Sequence, residues 1–210
     1  MSRRAKDLVV LVADADMEAA LRGLLSRPEA LGVRPLKYDV FRHPGRDPGC
    51  RAEAHVFLRQ FRDQYDHALV VFDHHGSGRE PADPTTLQED LVRRLSADWQ
   101  DRAAALVITP ELEIWVWSDS PQVDQSLGWS GRMPNLRSWL VEQGLWDEGN
   151  AKPNDPKRAL AEALHEVRKP RSPSIFDALA RTVSVNRCRD AAFLLLRSLL
   201  RAWVPADPDT

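Results

Sequence analysis

The chain has little cysteine, no excess of charge of either sign and no long apolar run. Two cysteines in 210 residues, Cys50 and Cys188, exclude a disulfide framework and a cysteine-based zinc site. The 29 Lys and Arg stand against 31 Asp and Glu, for a formal net charge of −2. Whole-chain charge is therefore no argument for nucleic-acid binding, and any phosphate contact has to come from a local patch. No apolar stretch approaches the ~20 residues that a bilayer crossing needs. The basic opening segment is followed by a short apolar run, 8–13, that Asp14 interrupts, which is too brief for a signal peptide. Internal repeats and low-complexity segments are also missing. What remains is the profile of a cytoplasmic protein without membrane association, of one domain or one domain with an extension, at roughly 100–200 residues per domain.

What the chain does have is a run of strand-like and helix-like segments in alternation. Residues 8–13, 68–72 and 104–109 are nearly uniformly apolar and rich in Val, Leu and Ala, the texture of strands buried on both faces. Residues 36–41 alternate like a further strand. Between them, 17–27, 52–65 and 84–97 carry apolar residues at helical spacing. Asp16 is placed to cap the first helix, and 43–49, with two prolines and two glycines, reads as a loop. In the helix at 52–65 the expected inward positions are Val56, Phe57, Phe61 and Tyr65. Residues 110–117 continue from the fourth strand and turn helical. Beyond about 118 the strand-like runs stop, and helices are expected over 135–143, 156–167, 175–182 and 188–203, the last strongly apolar.

The expected fold is therefore α/β: a mainly parallel sheet with flanking helices over 1–120, a helical C-terminal extension packed on it over 121–204, and a disordered tail over 205–210. In open α/β sheets ligands bind outside the carboxyl ends of the strands. Acidic residues follow three predicted strands at that edge: Asp14 and Asp16, then Asp73, then Glu111 and Glu113. Far apart in sequence, they are expected to converge on a negatively charged notch. Carboxylates from separate strand ends suit a hard divalent cation, Mg²⁺ or Mn²⁺, for phosphoryl chemistry. The metal-ligand candidates are Asp14, Asp16, Asp73, His75, Glu111 and Glu113, and including His75 moves the preference toward Mn²⁺ or Zn²⁺. The competing readings are helix capping for Asp16, a solvent-facing loop position or a substrate contact for His75, and, for Glu111 and Glu113, a helix cap for one and an ion pair with Arg or Lys for the other. Those two lie two residues apart, so on a helix they diverge by roughly 200° and one alone faces the site. Gly76 and Gly78 let the backbone after Asp73 approach a ligand closely.

Basic residues gather in the second half. Lys152, Lys157 and Arg187 are the candidate phosphate-backbone contacts, with Arg158, Arg168, Lys169, Arg171, Arg181 and Arg189 around them. The alternative is a solvated helical face with local ion pairs. Of the seven tryptophans, Trp115, Trp139 and Trp203 sit at apolar helical spacing and read as core. Trp117, Trp129 and Trp146 lie near turns, where packing competes with base stacking or anchoring a partner. Cys188, between two arginines, has no His and Asn to make it a nucleophile and reads as buried. Ser77 lacks the frame of a hydrolase triad.

These residues resemble a family. An acidic turn after the first strand, Asp73-His74-His75 after a later one, and Pro-Glu-Leu-Glu-x-Trp over 110–115 resemble Toprim-type domains across the first ~120 residues, a span on the scale of one domain. Over nearly the whole chain, the motifs at 12–18, 72–78, 110–120, 152–157 and 187–193 are similar to the fourth component of the bacterial methylation-associated anti-phage defence system. That resemblance implies a defence component acting with other defence-system proteins. The Toprim resemblance implies Mg²⁺-dependent nicking, cleavage or strand transfer on DNA or RNA, with one Glu in acid–base work and an Asp-x-Asp pair on the metal. Carried onto this chain, Asp14, Asp73 and Glu113 are the catalytic candidates. Two positions depart from the pattern: Ala13 stands where the first Glu is expected, and His75 replaces the second acid of the pair. The departures leave a metal-dependent nuclease and a catalytically degenerate adaptor or sensor both open.

Overall fold

The structure, a computed structural model, describes residues 5–206. The order of elements is β1 (Lys6–Val12), α1 (Ala15–Leu25), α2 (Pro28–Leu31), β2 (Tyr38–Arg42), α3 (Arg46–Leu58), β3 (Tyr65–Asp73), α4 (Pro84–Trp99) and β4 (Ala103–Ile108). A 3₁₀ turn (Leu112–Trp115) then leads to α5 (Pro121–Leu127), α6 (Leu136–Glu142), α7 (Pro156–Glu166), α8 (Pro173–Thr182) and α9 (Ala191–Trp203). The four strands form one all-parallel sheet in the order β2-β1-β3-β4. The fold is α/β, with no strand after β4 among the described residues.

The apolar runs become strands because both faces of the sheet are covered. Residues 8–12 of β1 and 68–72 of β3 are wholly shielded from solvent. Helices α3 and α4 pack beside β1, β3 and β4, while α1 packs on β2 and α8, and α9 reaches β4 and α2. One continuous core joins the sheet to the later helices. The contact between α1 and α8 is close at Gly23, where an added Cβ would lie 2.7 Å from Ala180 Cβ and 2.9 Å from the Asp177 carbonyl oxygen. Among the described residues no helix is long and apolar enough to cross a membrane.

Several boundaries differ from expectation. Asp14, not Asp16, caps α1: its Oδ1 accepts the Met17 backbone N–H at 2.9 Å, a contact of about 1 kcal/mol. The segment 43–49 is not wholly a loop, because α3 begins at Arg46 and takes Pro48 and Gly49 into its first turn. Proline is tolerated there because the first-turn N–H groups have no helical acceptor. The same helix ends at Leu58, so Tyr65 opens β3 instead of closing a helix, and Val56 is exposed. Helix α5 was not expected; Pro121 starts it and Gly128, in the left-handed conformation, ends it. Helix α9 starts at Ala191, capped by Asp190, so 188–190 precede it. Pro205, placed in the disordered tail by the sequence, forms an antiparallel bridge with Val33. Of that tail, 207–210 lie outside the described residues, as does the opening of the basic N-terminal segment.

Candidate functional site

Parallel pairing sends every strand's carboxyl end to the same edge of the sheet. In the order β2-β1-β3-β4 the chain first moves outward from β1 to β2 and then crosses to β3. The crevice between β1 and β3 is thus the topological switch point, where α/β sheets bind ligands. Asp14 lies just past the end of β1 and Asp73 ends β3. Glu111 and Glu113 come from the segment after β4, Glu113 within the 3₁₀ turn.

Asp73 is 9% exposed, and its Oδ1 is buried with no hydrogen-bond partner among the described residues. Burial holds its carboxyl well above the usual range, and the nearby carboxylates of Asp47, Glu113, Asp14 and Glu111 push the same way. Asp47 is the acid that the sequence reading missed. It enters from the first turn of α3, and its Oδ1 accepts the Asp73 backbone N–H at 2.9 Å. Burial raises its pKa too, against the lowering effect of that hydrogen bond, and Asp14 adds to the rise. Only its reading as a loop residue concealed Asp47; an Asp in a helix's first turn is a recognisable signal.

The remaining acids are held by two cations. Arg171, from the turn before α8, donates to Asp16 Oδ2 from Nε at 3.0 Å and from Nη2 at 2.6 Å. Its Nη1 lies 2.6 Å from Glu113 Oε1, an ion pair outside aligned hydrogen-bond geometry, with the Glu113 side chain 2% exposed. Lys157, at the start of α7, donates to buried Glu111 Oε2 at 2.8 Å. Burial pulls both cations' pKa values down, but the carboxylates outweigh it and each ends above its ordinary value. Lys157 and Arg171 also line two clefts in common, one of about 870 Å³ with Asp14, Asp16 and Arg46, the other of about 700 Å³ with His75 and Glu111. In both linings cationic side chains outnumber anionic ones. The surface is thus of mixed charge with a slight cationic excess, not the negatively charged notch expected from sequence, and Lys157 and Arg171 form a cationic wall that both clefts share.

Among the described residues no group of three or more His, Cys, Asp or Glu is placed to hold a metal ion. Asp14 serves as a cap, Asp16 and Glu113 are paired with Arg171, and Glu111 is paired with Lys157. His75 is exposed and donates its backbone N–H to the Pro110 carbonyl at 2.9 Å. In this arrangement the candidate ligand set does not fit a resident Mg²⁺ or Mn²⁺.

The three candidate phosphate contacts are divided between two places. Lys157 belongs to the wall just described. Lys152 donates to the Ile114 carbonyl at 2.6 Å and Arg187 to the Asp119 carbonyl at 3.0 Å, and both line a separate cavity. Trp117, Trp129 and Trp146 are not surface stackers. All three are buried, and their indole N–H groups donate to the carbonyls of Pro156, Ala163 and Asn150 at 2.9–3.1 Å. No family model matches this chain, and neither a curated protein nor a solved structure matches it.

Proposed function

We propose that the chain is a component of a bacterial anti-phage defence system whose Toprim-like site contacts nucleic acid at the carboxyl edge of the sheet. The observation that carries the reading is Asp73 at the β1/β3 switch point, buried with an unpartnered oxygen and surrounded by four other carboxylates. Such a grouping opposes folding, and costs of this kind are retained where a site needs them. The cationic wall supplies the complementary feature. A phosphodiester entering either cleft meets Lys157 and Arg171 and competes with Glu111, Glu113 and Asp16 for them. Burial and the neighbouring acids hold the Asp73 carboxyl above its usual range, which favours its protonated, donating form. Because the acids do not assemble a metal set, no step is routed through an ion.

The test uses fluorescence anisotropy with labelled single-stranded and duplex oligonucleotides, together with nicking of supercoiled plasmid in Mg²⁺ or Mn²⁺. Wild type binds, Arg171→Ala binds more weakly, and Asp73→Asn keeps binding while losing any cleavage. Absence of oligonucleotide binding by wild type removes the nucleic-acid claim.

A second reading, an adaptor or sensor that docks other defence-system proteins, is favoured by the ion pairs that already neutralise Asp16, Glu111 and Glu113. It is tested in cells carrying the complete defence locus. If Asp73→Ala with Glu113→Ala abolishes phage protection while partner capture and melting temperature are kept, the adaptor reading fails.

A further inference from the structure

A second hollow lies away from the acids, between α1, the 3₁₀ turn, α8 and the start of α9. Its volume is about 230 Å³, and Leu24, Leu112, Phe176 and Phe193 form part of its apolar lining. A cavity of about 150 Å³ already accepts benzene, so this one has room for a ring or a short acyl chain. None of Asp14, Asp73, Glu111 and Glu113 lines it.

Two further observations distinguish it from a packing defect. First, the charged groups in its lining are biased in sign. Lys152, Arg187 and Arg189 line it, and Asp119 is the one acid in the lining among the described residues. Lys152 and Arg187 are oriented by backbone carbonyls, of Ile114 and Asp119. Neither contact neutralises their charge. Arg189 is exposed and makes no hydrogen bond or ion pair among the described residues. Second, Ser118 lines the cavity with its Oγ buried and without a hydrogen-bond partner. An orphaned hydroxyl beside an apolar hollow is costly unless a ligand group completes it.

We propose that this cavity binds a small amphipathic anion, with an apolar body of about one ring or one short acyl chain inside and a carboxylate or phosphate at the Lys152–Arg187–Arg189 rim. The body gains from burial against aromatic and aliphatic side chains, and the head group from three cations, of which Arg187 and Arg189 are exposed to solvent. The site is independent of the nucleic-acid reading, since it shares no acid with the cleft.

Octanoate and phenyl phosphate are the probes, and neutral octanol the control, in calorimetric titrations of the full chain. For ligands of this size a Kd of about 0.1–1 mM is expected. Whichever of octanoate and phenyl phosphate binds tighter identifies the body as acyl or aromatic. Octanol binds about tenfold more weakly than octanoate, and Arg189→Glu weakens both anions by about tenfold, the loss expected for reversing one rim charge. Cys188 supplies a second readout: it lines the cavity half-buried, whereas Cys50 is wholly buried. A bound anion therefore slows formation of the single maleimide adduct seen by intact mass. Val183→Phe fills the hollow and abolishes binding; if that variant does not fold, the exposed Arg189→Glu carries the test alone. No saturable binding of either anion, or octanol binding equal to octanoate with Arg189→Glu unchanged, overturns the proposal.

Discussion

Asp47 Oδ1 accepts the backbone N–H of Asp73 at 2.9 Å, so the first turn of α3 sets one carboxylate over the stem of another. Both carboxyls are pushed upward in pKa, first by burial and then by neighbouring acids. Each therefore binds its proton more tightly folded than unfolded. Their effect on stability is least at low pH. It grows unfavourable as pH rises from the ordinary Asp range, about 3.9, through the folded-state values. Asp73→Asn removes the larger part of this. The variant is expected to melt higher than wild type at pH 7, with the gain shrinking toward pH 4. Thermal melts across that range check it; a uniform loss of stability at every pH would contradict the linkage.

Arg171 spans Asp16 and the nearly inaccessible Glu113. Deleting a cation from a buried pair leaves a charge without compensation, typically a loss of 3–5 kcal/mol. Arg171 is itself 36% exposed along its side chain, so solvent reduces this to about 2 kcal/mol for Arg171→Ala. Adding Glu113→Gln removes the stranded charge and recovers at least half of the loss. Urea denaturation of the two single variants and the double variant measures the coupling; simple additivity would show that the two groups do not interact.

Gly23→Ala tests how closely α1 meets α8. Helix propensity alone favours alanine by about 1 kcal/mol. The new Cβ would fall 2.7 Å from Ala180 Cβ and 2.9 Å from a backbone oxygen, neither of which is the free end of a flexible side chain. Overpacking of this kind costs about 1–3 kcal/mol, so the net change is a destabilisation of up to about 2 kcal/mol. A stabilised variant in chemical denaturation would mean that the two helices separate readily.

Lys157 is the more exposed cation of the wall. Under the nucleic-acid reading, Lys157→Ala weakens oligonucleotide binding similarly for all sequences. It also lowers the slope of log K against log salt by about one. Anisotropy titrations at several salt concentrations give that slope directly, and an unchanged slope places the phosphate elsewhere.

The sheet was legible because β1, β3 and β4 carry the unbroken apolar runs 8–12, 68–72 and 103–108, which suit strands covered on both faces. The acids at its edge followed from the same reading. Asp47 was hidden because Pro48 and Gly49 resemble a loop, although first-turn proline leaves a helix intact. The pairing of Arg171 with Asp16 joins residues 155 apart, and no local pattern encodes such a contact. All six of these tryptophans pack in or against the core, but the degree of burial is not the expected one: Trp117, Trp129 and Trp146, near turns, are buried, while Trp115, Trp139 and Trp203 are only partly so. Distance from a turn does not measure burial when an indole N–H can find a carbonyl inside.

The 3₁₀ turn Leu112–Trp115 carries Glu113 on its ion pair with Arg171, while Leu112 and Trp115 line the apolar cavity. Neighbouring residues of a single turn thus serve two separate places in the molecule. A substitution within this turn therefore disturbs both places at once, so variants meant to separate the cavity from the charged cleft have to be placed outside 112–115.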